Sequence, residues 1–435
     1  MKSGPSGVGT RAWSRPAGLL AAAAAFHAAV TIALLGVGRA ALFPLAIDTN
    51  GITVALTPDS LLYRADALSL SERLTSGGML AWLTASEPLA IKLFSLSLAL
   101  VGRWAGVTIL GAEPINALSY LAILLLVFIL GRDAFNPRAG LLAAGTVGLW
   151  PSFLLHSTQF LKDSLFAGGL LALVVVISRL LSRAYSWRGA LTAGAGGGLL
   201  AVLLSFSRDN MADVVVATAL IGAGLFLVRQ VQDHRAQATN IIGIALLTAI
   251  TVGATRVLPE SHERPHAAAA AAAASAPQPA LAWWDVAARV ARVRGRFLER
   301  YRDAGSNIDD QVPLTGMGDL VGYLPRAAAI GFLAPFPDMW TTTGGRVGLT
   351  ARRLSGLESV AMYAVYVVAV AGLWRGRRRI AVWLLSSVAA TGLTALGLVV
   401  VNVGALYRLR YVFLCLVITI AAGGATGLAP DQTRR

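Results

Sequence analysis

The sequence predicts an all-α, polytopic integral membrane protein with about ten transmembrane helices. Hydrophobic residues make up 56% of the 435-residue chain and charged residues only 14%, so its apolar stretches exceed what a soluble core could bury. Arginines collect in alternate short connections, as expected when those connections stay on the cytoplasmic side. The net charge of +15 therefore indicates membrane topology, and no nucleic-acid partner is expected.

Seven apolar runs define a predicted N-terminal membrane module, residues 1–257. The first run is too long for the apolar region of a signal peptide, so it is expected to anchor the chain with its N-terminus in the cytoplasm. Glycines at 193–198 fall inside a span, where they favour close helix packing. The seven predicted spans cover about 16–37, 114–131, 139–155, 165–178, 189–206, 211–228 and 240–257.

Two predicted outer loops contain acidic residues. The first loop covers residues 39–112, and its stretch EPLAIKLFSLSLALVGRW suits a helix that lies in the membrane interface. The second covers residues 156–164. Asp59 belongs to the first loop and Asp163 to the second. Because a membrane protein tolerates such charges mainly where they do chemistry, the pair predicts an active site at the outer membrane surface.

A long outer loop is predicted at 258–354. It begins with an Ala/Pro-rich stretch, HERPHAAAAAAAASAPQPA, which indicates a solvated linker. An amphipathic interfacial helix follows, and its arginine stripe either meets lipid headgroups or also grips the phosphate of a bound lipid. The apolar face of this helix comprises Val286, Val290, Val293, Phe297 and Tyr301, and the stripe comprises Arg289, Arg292, Arg296 and Arg300.

The same loop ends in an apolar stretch, 320–337, that several prolines interrupt. We expect a re-entrant or surface helix there rather than an eleventh span, because one extra crossing would place the later arginine-rich loops on the outer side. Asp309 and Asp310 either hold a divalent cation or are simply solvated, so no metal ligand is assigned and no cofactor is predicted.

The C-terminal membrane module is predicted at 355–435, with both chain termini in the cytoplasm. Its spans cover about 357–374, 380–402 and 411–428. The most basic short loop of the chain, RGRRR at 375–379, separates the first two and is expected on the cytoplasmic side.

Soluble-enzyme motifs are missing from the sequence. It contains no GxxxxGK[ST], HExxH, CxxC or GxSxG pattern, so nothing indicates nucleotide chemistry. A membrane enzyme without a nucleotide site needs a donor that resides in the bilayer. A polyprenyl-phosphate-linked sugar fits, because arginines hold phosphate well.

An ordered set of segments resembles the GT-C membrane glycosyltransferases of the protein O-mannosyltransferase and aminoarabinose transferase type, especially bacterial polysaccharide-cluster members. These segments are PDSLLYRADAL, EPLAIKLFSLSLALVG, the stretch from NALSYLAILLL to HSTQFLKDSLF, and NVGALYRLRYVF. The resemblance covers most of the chain and is strongest from Asp59 to Phe166. It implies a GT-C-like fold in the bacterial inner membrane and an inverting sugar transfer, at the outer face, to a saccharide, lipid or protein acceptor.

The resemblance also implies roles for particular residues. Asp59 resembles the catalytic base, Asp163 an assisting acid, and Arg408 with Arg410 a binding site for the lipid phosphate. Lys162, His156, Tyr63 and Arg296 complete the predicted substrate-binding set. Two positions depart from the family pattern, because Ser60 follows Asp59 in place of a second acid and Glu87 replaces the basic residue before Pro88.

Each assignment has a structural alternative. Asp59 could cap a helix that begins at Ser60, and Lys162 with Asp163 could form an ion pair at a helix start. Arg408 and Arg410 could mark the membrane interface, and His156 could be a satisfied interfacial histidine. Two functional alternatives also stay open: a polysaccharide polymerase or ligase that uses a diphosphate-linked oligosaccharide, and a transporter of lipid-linked saccharides, which should place ionisable residues near the bilayer midplane.

Overall fold

The computed structural model describes residues 8–233, 238–257, 285–302, 305–342 and 348–427, and the predicted linker at 262–280 lies outside them. These residues are almost entirely helical, which confirms the all-α prediction, and their only β-type pairing is an isolated bridge between Asn307 and Asn402. The helices are α1 Val8–Arg39, α2 Asp59–Leu83, α3 Leu89–Ala105, α4 Ile109–Ala134, α5 Pro137–Gly148, α6 Pro151–Ser157, α7 Asp163–Ser182, α8 Trp187–Ser207, α9 Ala212–Asp233, α10 Ala238–Val257, α11 Val286–Arg300, α12 Met317–Leu333, α13 Leu349–Gly376, α14 Ile380–Val399, α15 Val403–Leu409 and α16 Tyr411–Thr426.

Within the described ranges, seven helices are long and apolar enough to cross a membrane: α1 from Pro16 onward, α4, α7, α8, α9, α13 and α14. Two bent pairs, α5 with α6 and α15 with α16, raise the count to nine, and α10 is a shorter apolar helix. The protein is therefore a multi-pass membrane protein. Each predicted span coincides with one of these helices or pairs, but length and composition support seven to nine crossings rather than ten.

The centre of the bundle contains α7, whose most apolar stretch is 72% buried, and α16, whose side chains are buried along most of its length. Glycines allow the close approach predicted for 193–198. Gly194 packs against the backbone of Gly243 on α10, and Gly197 packs against Leu247 on the same helix. Close packing at small residues is how membrane helices gain contact area without help from water.

Polar contacts define one end of the bundle, here called the basic end. Asp133 at the end of α4 pairs with Arg183, with 3.4 Å between the charged atoms. Arg379 donates to the carbonyl oxygen of Ala134 at 2.9 Å, and Asn136 donates to that of Gly427 at 2.7 Å. Arg183 and Arg379 thus lie at the same end, as the sequence predicted, and the cytoplasmic location of this end stays a prediction.

The opposite end is here called the acidic end. It bears the first outer loop, in which α2 and α3 enclose a small core of their own around Phe94, Ile91 and Leu70. Trp82 of α2 donates to the Ser95 hydroxyl of α3 at 2.8 Å. Helix α3 is not among the helices long and apolar enough to span, which agrees with its predicted interfacial position.

Helix α12 enters the bundle from the acidic end and does not traverse it. It runs antiparallel to α14, since Ala327 packs against Gly397 and Gly331 packs against the backbone of Leu393. Leu393 lies six residues before the end of α14, so Gly331 is only about 9 Å deep. After Phe336 the chain returns, and Arg352 near the start of α13 reaches the carbonyl oxygen of Gly305. These contacts place both flanks of the segment near the acidic end. Its re-entrant or surface position in a membrane stays a prediction, and it is here called the re-entrant segment.

Candidate functional site

Asp59 is the first residue of α2, and its carboxylate is bound by two arginines from distant parts of the chain. Arg408 of α15 donates to Oδ2 at 2.6 Å, and Nη2 of Arg300, at the end of α11, lies 3.3 Å from Oδ1. Pro58 occupies the position before the helix and makes no side-chain cap. The carboxylate is therefore held in ion pairs, not engaged in the capping contact that the sequence left open.

Burial alone would raise the pKa of Asp59. The guanidinium groups of Arg408 and Arg300 outweigh that effect and hold the pKa of the carboxyl below its ordinary value of 3.8. In this state Asp59 is ionised at neutral pH and is a weak proton acceptor.

Asp163 begins α7 and is almost completely buried close to Asp59. Its carboxylate pairs with Arg208, which follows the last residue of α8. The two acids and their arginine partners form a group here called the charged cluster: Asp59, Asp163, Arg208, Arg300 and Arg408. Three guanidinium groups share two carboxylates, so the charged cluster has an excess of positive charge in a low-dielectric position.

A small cavity opens beside the charged cluster. Its lining includes the charged and polar residues Asp163, Arg208, Arg408 and His156 and the aromatic residues Phe153, Phe166 and Tyr411. Within the part of the chain that the structure describes, Nη1 of Arg408 is buried and has no hydrogen-bond partner. A buried guanidinium N–H without an acceptor is costly, so the surroundings of Arg408 favour an anionic ligand.

Lys162 and Tyr63 meet next to the two acids. The Lys162 ammonium lies 5.6 Å from the centroid of the Tyr63 ring, and the lysine side chain is buried. This contact connects the first predicted outer loop with the second. It brings two residues of the predicted substrate-binding set together with Asp59 and Asp163.

Arg408 and Arg410 point to different surroundings. Arg408 belongs to the charged cluster, whereas Arg410 stacks on Tyr407 at 4.5 Å and donates to the carbonyl oxygen of Ala334 in the re-entrant segment. Arg410 thus ties the re-entrant segment to the bend between α15 and α16. The structure brings only one of the two predicted phosphate ligands to Asp59.

The amphipathic helix α11 supplies the second arginine of Asp59. Phe297 is buried against the bundle, and Arg294 donates to the carbonyl oxygen of Leu398 at 2.9 Å, which fixes the helix on α14. Arg300 then faces Asp59, while Arg296, the stripe member predicted to bind substrate, is exposed. The stripe is not only a lipid-facing surface, because Arg289 also pairs with Asp213 of α9.

Asp309 takes part in a structural contact. Its carboxylate accepts hydrogen bonds from Nε of Arg326 at 2.8 Å and from the hydroxyl of Tyr323 at 2.9 Å. Among the described residues there is no group of three or more His, Cys, Asp and Glu side chains that could hold a metal ion. Asp309 therefore anchors α12 to the segment that precedes it.

A buried glutamine connects the two outer segments that bear Asp59 and Asp163. Gln159 accepts a hydrogen bond from the backbone N–H of Thr53 at 3.0 Å and is fully buried. Ser157, two residues earlier, lies 3.1 Å from Nε2 of His27 in α1, whose Nδ1 lies 2.8 Å from Glu113 of α4. These contacts hold the second outer segment against the bundle and so fix Asp163 relative to Asp59.

Sequence reasoning missed Arg208 and Glu358. Arg208 belongs to the SRDN turn, and an arginine on the predicted outer side opposes the charge rule, as Arg408 does. Glu358 lies within the apolar helix α13, where it accepts hydrogen bonds from Ser152 and from the hydroxyl of Tyr407. An acid inside a span is itself a signal of function or of a built polar network.

No protein-family model matches the chain, and no curated protein matches it either. The resemblance to GT-C glycosyltransferases therefore stays a prediction.

Proposed function

We propose that the protein is a membrane glycosyltransferase that moves a sugar from a polyprenyl-phosphate donor to an acceptor at the acidic end. The observation that supports this most is the unpartnered buried N–H of Arg408, a residue that pairs with Asp59 and lines a cavity together with Asp163 and Arg208. A phosphate ester supplies the oxygen atoms that such a guanidinium lacks. A carboxylate beside it can serve as the base for an attacking hydroxyl.

In the proposed reaction, the acceptor hydroxyl oxygen attacks the anomeric carbon of the donor sugar. The bond from that carbon to the phosphate oxygen breaks, and its electron pair leaves with polyprenyl phosphate. The hydroxyl proton passes to Asp59, and the guanidinium of Arg408 stabilises the charge that develops on the departing phosphate. Attack opposite the leaving group inverts the anomeric configuration. Asp163 keeps Arg208 in place and borders the same cavity.

The direct test incubates purified protein with a panel of polyprenyl-phosphate sugars and follows each donor and the released polyprenyl phosphate by mass spectrometry. We expect one donor to be consumed and the Asp59→Asn variant to lose about two orders of magnitude in rate. Arg379→Ala should leave the rate unchanged, because Arg379 donates to the backbone carbonyl oxygens of Ala134 and Phe135 at the basic end, away from the charged cluster. Equal rates for Asp59→Asn and wild type would contradict the assignment of the base.

Transport of a lipid-linked saccharide is a second candidate. Ionisable groups inside the helices favour it: His27 is fully buried in α1 and pairs with Glu113, and Glu358 lies within α13. Transporters place such groups along the substrate path. An assay in sealed liposomes distinguishes the two functions. A transporter moves the intact donor to the other leaflet, whereas a transferase releases polyprenyl phosphate.

A further inference from the structure

The two oxygens of Asp59 are held by different guanidinium groups, Oδ2 by Arg408 at 2.6 Å and Oδ1 by Arg300 at 3.3 Å. Arg408 comes from the late helix α15 and Arg300 from the amphipathic helix α11, so the carboxylate bridges two outer elements. Guanidinium forks bind carboxylate and phosphate oxygens in the same way. Asp59 thus occupies a position that suits any oxyanion of similar size.

This arrangement conflicts with catalysis by Asp59 in its present contacts. A carboxylate that both arginines hold cannot easily take a proton from a hydroxyl, because that would remove the charge which the arginines stabilise. Arg408 meanwhile keeps one buried N–H without an acceptor among the described residues. The charged cluster therefore still has a hydrogen-bond donor for an anion, while the carboxylate of Asp59 is engaged by the arginines and is not available as a base.

We propose that Asp59 holds the place of the donor phosphate in the resting protein, and that Arg300, with Arg408, is a phosphate ligand during turnover. The inference rests on the proposed function, since it needs a phosphate-linked donor. When the phosphate binds, its oxygens replace the Asp59 carboxylate on the two guanidinium groups. Asp59 is then free to accept the proton of the acceptor. Donor binding and activation of the base become one event, so water is not activated while the donor is absent.

Most active-site substitutions weaken ligand binding. Because Asp59 and the phosphate compete for the same two arginines, removing the charge of Asp59 should instead strengthen phosphate binding. Asp59→Asn removes the resident negative charge but keeps an oxygen that accepts a hydrogen bond from Arg408. We expect the variant to bind polyprenyl monophosphate about tenfold more tightly than wild type, while sugar transfer is lost. The measurement is a binding isotherm on purified full-length protein in lipid nanodiscs. Unchanged or weaker binding by Asp59→Asn would overturn the proposal.

Arg300 is tested with a matched pair of variants. Arg300→Gln should weaken binding of polyprenyl monophosphate about tenfold, because one phosphate ligand is lost. Arg302→Gln makes the same charge change two residues away on an exposed side chain and should bind as wild type does. If Arg300→Gln binds as tightly as Arg302→Gln, Arg300 is not a ligand and the proposal fails.

Two control ligands show whether the phosphate group or the lipid chain causes the difference in affinity between Asp59→Asn and wild type. Inorganic phosphate should compete with polyprenyl monophosphate, and its inhibition constant, corrected for the affinity of the probe, should be lower in Asp59→Asn than in wild type. Neutral polyprenol should bind wild type and Asp59→Asn equally, and a gain with polyprenol as large as the gain with the phosphate would refute the exchange.

Failure of this inference is distinguishable from failure of the proposed function. Tighter phosphate binding by Asp59→Asn, in a protein that consumes no sugar donor, would support the exchange and reject the transferase. Sugar transfer by wild type without any gain in phosphate binding by Asp59→Asn would support the transferase and reject the exchange.

Discussion

At the scale of single residues, the pair of Asp163 and Arg208 offers a test that separates folding from function. Both side chains are nearly buried and paired, so Arg208→Gln leaves a buried carboxylate without its partner and should destabilise the protein by about 3 kcal/mol. Arg188→Gln, at the exposed opposite end of the same helix, should have little effect on thermal stability. Thermal unfolding of both variants in detergent checks this.

The double variant Asp163→Asn with Arg208→Gln completes a double-mutant cycle for this ion pair. Because it removes both charges, it should regain much of the stability lost in Arg208→Gln, although sugar transfer should stay impaired. Recovery of transfer together with stability would show that the pair is only structural.

The ion pairs of Asp59 predict a dependence of stability on pH. The arginines depress the pKa of this carboxyl in the folded protein, so the unfolded chain binds the proton more readily. The stabilisation is present above the ordinary pKa of 3.8 and is lost as the pH falls through the folded value. Melting temperature measured from about pH 6 to about pH 3 should fall less steeply in Asp59→Asn than in wild type. Parallel curves would contradict the ion pairs.

At the scale of elements, two glycines of the re-entrant helix α12 predict effects of opposite sign. A Cβ at Gly331 would overlap the carbonyl oxygen of Leu393, so Gly331→Ala should destabilise the protein by about 1–3 kcal/mol. A Cβ at Gly322 meets no atom within 4 Å, so Gly322→Ala should stabilise the helix by up to about 1 kcal/mol. Melting temperatures of the two variants give the comparison. A neutral Gly331→Ala would mean that α12 does not pack on α14 at this depth.

The elements show what the sequence could and could not predict. Each predicted apolar run coincides with a helix or a bent pair of helices, because the bilayer constrains helix length and hydropathy directly. Asp59, Asp163 and Arg408 were found because charges beside spans are rare, and the structure brings these three together. The contacts of Arg300 with Asp59 and of Arg410 with the carbonyl oxygen of Ala334 were not predicted, since periodicity places a residue on a helix face but cannot tell which distant segment that face meets.

At the scale of the whole molecule, contacts at the basic end join Arg183 and Arg379 to one side of the bundle, while Lys162 and Ser306 lie at the acidic end. Reporters fused after Arg183 and Arg379 should therefore give cytoplasmic signals, and reporters near Lys162 and Ser306 should give external signals. The positive-inside rule sets the expected direction. An external signal at Arg379 combined with a cytoplasmic one at Arg183 would show that the re-entrant segment crosses the membrane.

The separation of Asp59 and Arg408, 349 positions along the chain, has a consequence for biosynthesis. At ordinary rates of translation, Arg408 leaves the ribosome on the order of half a minute after Asp59. For the last part of that interval Arg300 is already available, and the Asp59 carboxylate lacks only its second arginine. The second ion pair therefore closes only after α15 has been synthesised, and a product truncated before α15 would hold Asp59 through Arg300 alone.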